Sequence, residues 1–105
     1  MRRYAITIEY DGTPFVGWQR QAAGSSIQGV LEDAIFKFCG ERAGVRGAGR
    51  TDAGVHATGQ VAHFDLSKDL EAGRVRDAMN FHLRPHPVAV LQCRQADDRF
   101  DARFS

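Results

Sequence analysis

The chain has 105 residues, 43% apolar content and a formal net charge of +1, which suits one modest globular core and gives no global argument for a polyanionic partner. No apolar run approaches the roughly 20 residues needed to span a bilayer, and "MRRYAITIEYDG" lacks the apolar core and cleavage site of a signal peptide. Lys37 and Lys68 are the two lysines among 14 basic residues, so arginine supplies the rest. Arginine forks suit phosphates and base edges, although a GC-rich genome would enrich them too.

In chain order, residues 3 to 10 alternate, with Tyr4, Ile6, Ile8 and Tyr10 on one face and Ala5, Thr7 and Glu9 on the other. This period of two, closed by Asp11-Gly12, predicts a strand entering a turn. The loop "TPFVGWQRQAAGSS" follows, long enough to suggest function. Its Phe15 and Trp18 suit either base stacking or packing beneath the loop.

Ser25 with Gln28 three residues on resembles a capping box. Ile27, Val30, Leu31, Ala34, Ile35 and Phe38 then recur at helical spacing, and Gly40 stands where a C-terminal glycine belongs. Gly29 inside this helix reads as a close-packing site. A second strand is expected from Ala43 to Gly49, weakened by glycines. "QVAHFDL" alternates again, with Val61, His63 and Asp65 opposite Ala62, Phe64 and Leu66. Residues 69 to 83 read as a helix ended by Pro85 and Pro87, with Leu70, Val75, Ala78, Met79 and Leu83 on its apolar side. "VAVLQCRQ" reads as a fourth strand.

The expected order is βαββαβ, the ferredoxin-like arrangement of the α+β class: an antiparallel sheet with two helices on one face. The terminal "DDRFDARFS" reads as extended, with no stop signal, as if the chain ended in mid-structure. Cys39 and Cys93 fit no metal spacing, and without a secretion signal buried free thiols are favoured over a disulfide.

The chemistry concentrates in "GAGRTDAGVHATGQ", residues 47 to 60. A dinucleotide fingerprint would need a glycine where Asp52 stands, and no Gly-Lys-Ser/Thr of a phosphate loop exists. The order around Thr51-Asp52-Ala53-Gly54 does not fit an aspartic protease. What survives is one carboxylate, Asp52, with Arg50 two positions earlier on the same side if the backbone is extended. A guanidinium there would hold the carboxylate ionised and aim it, leaving a nucleophilic aspartate as the enzymatic reading. The plainer alternative is an Asx turn at Asp52 with Arg50 solvated. His56 could touch a substrate or bond the loop backbone. His82 and His86 are four apart, but Pro85 intervenes and no further ligand completes a metal site.

"YDGTPFVGWQRQ" (10–21), "SIQGVLEDAI" (26–35), "GAGRTDAGVHATGQVAHFD" (47–65) and "ARFS" (102–105) together resemble the tRNA pseudouridine synthase A family. The likeness covers essentially the whole chain and keeps the family's motif order. It implies isomerisation of uridine to pseudouridine at positions 38, 39 and 40 in the anticodon arm of tRNA, without metal or organic cofactor. By motif position Asp52 matches the catalytic aspartate and Arg50 the arginine that positions the flipped nucleotide. Arg20, Thr51, Gly54 and His56 are the substrate-binding candidates; Arg2, Arg3 and Arg46 are less secure tRNA contacts. The resemblance further implies a cytoplasmic homodimer, away from membranes, in which each chain pairs two such halves around the catalytic cleft. Residues 1–105 would be the N-terminal, aspartate-bearing half. The tyrosine that packs on the uracil and a second active-site arginine belong to motifs beyond Ser105. The competing reading is a non-catalytic RNA-binding module of ferredoxin-like fold, against which stands the lack of an aromatic RNP1-like strand.

Overall fold

The computed structural model describes residues 1–19, 24–49 and 53–104. Within them the elements run β1 (Arg2–Tyr10), α1 (Ile27–Cys39), β2 (Arg46–Gly47), β3 (Ala57–Leu66), α2 (Ala72–Leu83) and β4 (Val88–Ala96). The sheet order is β2-β3-β1-β4 and every pairing is antiparallel. This is the expected ferredoxin-like topology.

β1 is central, pairing with β3 on one side and β4 on the other. Its alternation decides the layers. Tyr4, Ile6, Ile8 and Tyr10 are buried and share one core with Ile27, Val30, Leu31, Ala34 and Ile35 of α1 and Val75, Met79 and Leu83 of α2. Both helices therefore cover the same face of the sheet. Residues of the opposite parity, Arg3, Ala5 and Thr7, pair with Asp65, His63 and Val61 of β3 on the other face. The Tyr4 and Phe64 rings stack in the core with centroids 5.7 Å apart.

Several element boundaries differ from the sequence expectation, each for a physical reason. The cap of α1 is Ser26, whose Oγ accepts the Gly29 N–H at 3.0 Å, not Ser25. Gly40 closes the helix in the left-handed conformation, as expected. The second strand is two residues long rather than seven. Val45 is held by α1 instead: its N–H donates to Glu32 Oε2 at 2.9 Å and its carbonyl accepts from Gln28 Nε2 at 3.0 Å. α2 starts at Ala72, because Leu70 has both backbone groups engaged by the buried Tyr4 hydroxyl, each at 2.7 Å. β3 starts three residues earlier than expected, with a bulge opposite Ile8/Glu9 that accommodates Gly59 at φ 140°. The two cysteines are free but only partly buried; burial pushes the Cys93 thiol up to about 11.

The C-terminal segment is folded rather than extended. Asp97 and Asp101 each open a turn, with their carboxylates accepting from the N–H two residues on, Arg99 at 2.8 Å and Arg103 at 2.9 Å. Backbone bonds from Phe100 N to Asp97 O and from Phe104 N to Asp101 O close the two turns. The segment leaves β4 and crosses the face opposite the helices: Arg3 of β1 donates to Phe100 O at 2.6 Å, and His63 of β3 accepts from Ala102 N at 3.0 Å. It acts as a strap over that face.

The cap assignment gives a direct test. Replacing Ser26 by Ala removes a buried cap bond and should lower unfolding free energy by about 1 kcal/mol, whereas Ser25→Ala should change it by less than about 0.5 kcal/mol. Urea unfolding followed by circular dichroism measures both.

Candidate functional site

Residues 48 to 56 connect the edge strand β2 to β3, and polar side chains hold both ends of this loop. At the first end, Ala48 N donates to Val61 O at 2.8 Å. Gln60 Nε2 donates to Gly49 O at 2.6 Å, while Gln60 Oε1 accepts from the Tyr10 hydroxyl at 2.7 Å. The last residue of β1 thus steadies Gly49 through one glutamine. Beneath lies Trp18, almost wholly buried. A Cβ on Gly47 would stand 2.7 Å from Trp18 Cζ2 and 2.9 Å from Cε2, so glycine is needed for the backbone to rest on the indole.

At the second end, the turn after β1 carries the loop. His56 Nδ1 accepts from Gly12 N at 2.9 Å, which makes Nδ1 the unprotonated nitrogen. Asp11 Oδ1 stands 3.1 Å from the same atom, but Nδ1 has already been used as an acceptor, so this approach is not a hydrogen bond in that tautomer. The Asp11 carboxyl is held below its ordinary range by bonds from Thr13, with His56 a smaller influence. A Cβ on Gly12 would overlap the Val55 carbonyl; only glycine allows this turn and the loop to touch. Gly54 takes φ 78° in the same stretch, with open space around it. Its glycine therefore serves backbone conformation and not close approach.

Arg20, Arg50, Thr51 and Asp52 lie outside the described residues. Of the predicted site, Gly54 and His56 are placed, both exposed. His56 does the second of the two jobs open to it, bonding backbone. Phe15 and Trp18 are core residues, which leaves no open ring face for stacking a base. Arg3 is also committed: its fork binds Asp65 at 2.8 and 3.0 Å while Nη1 binds Phe100 O. That bidentate pair raises Arg3 and lowers Asp65 from their ordinary pKa values. Arg2 meets Asp69 at 3.3 Å with both side chains more than half exposed, a pairing of little strength.

A cavity of about 710 Å³ opens along the β2 edge beside Gly47, Ala48 and Gly49. Trp18 and Gln28 form its wall on the helix side, and Asp101 and Arg103 of the strap form the other. Arg46 lines this cavity and an adjoining one that contains His63 and Asp65. It is exposed and has no carboxylate partner among the described residues. Arg46 and Arg103 are the described arginines that line this cavity, and the strap's part in it was not legible from sequence periodicity. The repeated Asp-x-Arg of "DDRFDARFS" was the available signal, since an Asp two residues before a bonded N–H is an Asx-turn pattern.

The family model described as tRNA pseudouridine synthase matches residues 6–105. The chain belongs to that family. Proteins named tRNA pseudouridine synthase A are similar over all 105 residues: 62% identical in Xanthobacter autotrophicus, 64% in Azorhizobium caulinodans and 59% in Paramagnetospirillum magneticum. The chain spans 43%, 41% and 41% of those relatives, under half of each. In this chain the motif loop is held at Gly49 by the Gln60 side chain of β3 and at His56 by the Gly12 backbone of the turn after β1.

The Gly47 contact is checkable through the protein's single tryptophan. Gly47→Ala should displace the buried indole and shift Trp18 emission to longer wavelength, with a loss of stability on the order of 1–3 kcal/mol. Gly49→Ala, where a Cβ meets nothing within 4 Å, should leave the emission unchanged.

Proposed function

We propose that this chain is the N-terminal, aspartate-bearing half of a tRNA pseudouridine synthase that isomerises uridines 38, 39 and 40 of the anticodon arm. The observation that carries the reading is the double anchorage of the loop, at Gly49, which opens the family's Gly-Arg-Thr-Asp motif, and at His56, four residues past its aspartate. A nucleophile must be held within a fraction of an ångström of its target, and a glycine-rich loop achieves that only when its ends are fixed.

In the proposed reaction Asp52 is ionised and attacks the extruded uridine, either at ribose C1′ or at C6 of the base. In the first route the C1′–N1 bond breaks and its electron pair goes to the uracil. The uracil rotates in place, C5 bonds to C1′ as the carboxylate leaves, and the C5 proton is lost while N1 gains one. Arg50 positions the nucleotide and fills the space it vacates. Extrusion costs a few kcal/mol, which contacts from Arg20, Thr51, Gly54 and the other ring nitrogen of His56, Nε2, and from backbone-binding arginines would offset. A base-packing tyrosine and a second arginine are proposed to complete the cleft wall. The complete enzyme is proposed to be a cytoplasmic homodimer acting without metal or organic cofactor. No helix among the described residues is long and apolar enough to cross a membrane.

The alternative, an RNA-recognition module, needs aromatic platforms on the open face of its sheet. Here Tyr4, Tyr10 and Phe64 all point into the core, and the opposite face of β1 and β3 carries Ala5, Thr7, Val61 and His63 beneath the strap. That arrangement favours the enzymatic reading.

Asp52→Asn in the complete enzyme should abolish release of tritium from C5-labelled tRNA while tRNA binding stays within about threefold; retained turnover would falsify the nucleophile assignment. Arg46→Ala should weaken tRNA binding about equally across sequences and reduce the slope of log affinity against log salt by about 1, as titrations at several salt concentrations would show.

A further inference from the structure

We infer that His63 is a positioning residue of the proposed reaction: its unprotonated Nδ1 docks the strap 97–104 across the sheet and so sets the Arg103 wall of the cavity beside the aspartate loop. This rests on the synthase reading for its catalytic meaning, but the docking itself does not.

The geometry is built from three strands. Ala102 N donates to His63 Nδ1 at 3.0 Å, a bond between a buried amide and a buried ring. Phe100 meets the same imidazole edge-on with centroids 6.0 Å apart, and its other side takes the Arg94 guanidinium of β4 at 4.9 Å. Arg3 of β1 holds the Phe100 carbonyl. Beyond Ala102 the only described anchor of Arg103 and Phe104 is the local turn at Asp101, and Phe104 is largely exposed. Releasing Ala102 therefore loosens Arg103 and Phe104, which line the cavity.

A protonated imidazole has no acceptor, so the docking bond exists only while the ring is neutral. The charged groups facing it are Arg3 on β1, Arg46 on β2, Asp65 on β3 and Asp101 on the strap. Burial is the largest influence and keeps the ring below its ordinary pKa; Arg3 lowers it further, Asp101 and Asp65 act the other way, and Arg46 again lowers it. The docked state binds the proton less well than the released one. Docking is thus complete above the ordinary histidine value near ~6.5 and weakens as pH falls below it. Asp65, held below its ordinary range by Arg3, keeps its charge through that window and loses its pairing only at lower pH.

Amide hydrogen exchange of the chain, corrected for intrinsic rates, tests this directly. Protection of Ala102 should be high at pH 7.5 and fall by up to about tenfold per pH unit below ~6.5, while Ile6 in β1 stays protected. His63→Gln, whose amide oxygen can accept the same bond, should keep the strap docked and remove the pH dependence; His63→Leu should expose Ala102 at every pH. In the complete enzyme His63→Leu should raise KM for tRNA or lower kcat at least tenfold, with His63→Gln restoring most of the loss. Unchanged Ala102 protection between pH 7.5 and 5.5, or a Gln variant indistinguishable from Leu, overturns the docking role. Exchange that behaves as expected in an enzyme whose Asp52→Asn variant still turns over would overturn the Asp52 nucleophile assignment and leave the docking standing.

Discussion

Everything in this domain depends on the alternation of β1. It is the central strand, so its register assigns a face to β3 and β4 as well as to itself. With Tyr4, Ile6, Ile8 and Tyr10 inward, the two helices share one core. A slip of one residue would bring Arg3, Thr7 and Glu9 under the helices and expose four large side chains. Such a slip is excluded by the cost of burying Arg3 and Glu9 unpaired. The same parity sends Arg3, His63 and Asp65 to the opposite face, where Arg3, paired with Asp65, and His63 grip the strap.

The tyrosines at either end of this strand add a second constraint. Tyr4 joins the sheet to the entry of α2 through both backbone groups of Leu70. Tyr10 reaches the motif loop through Gln60 and Gly49. The core-facing row therefore both seals the domain and carries position from the packed interior to the candidate site. Gly12, one turn beyond, completes the grip by admitting Val55 and bonding His56. A flexible composition in the loop and a fixed placement of its ends are compatible, because backbone freedom is taken up by partners from three separate elements.

Much of the fold was legible because its signals are local. Period-two and period-3.6 apolar spacing and the Gly40 stop all match the elements found. Two of the misreadings share one cause: backbone groups captured by side chains from other elements. Val45 was expected in a strand ladder but is bonded by Glu32 and Gln28 of α1. Leu70 was expected in a helix but is bonded by Tyr4, 66 positions away. Of the site, the family motif marked Asp52 and Arg50 by resemblance. Local physics alone left the pair undecided, since an Asx turn explains the same residues.

By itself the sequence determined the order of elements, the face each strand buries and the membership of a synthase family, because those follow from periodicity and motif residues that do not need a partner across space. Only the tertiary structure decided which polar groups were spent and which remained free. Arg3 is consumed by Asp65 and the strap, Trp18 and Phe15 by the core, and the His56 Nδ1 by Gly12, whereas Arg46 has no carboxylate partner among the described residues. Those outcomes turn on distances of about 3 Å between residues far apart in sequence, and hydrogen bonds that short-ranged are settled only when the chain has packed.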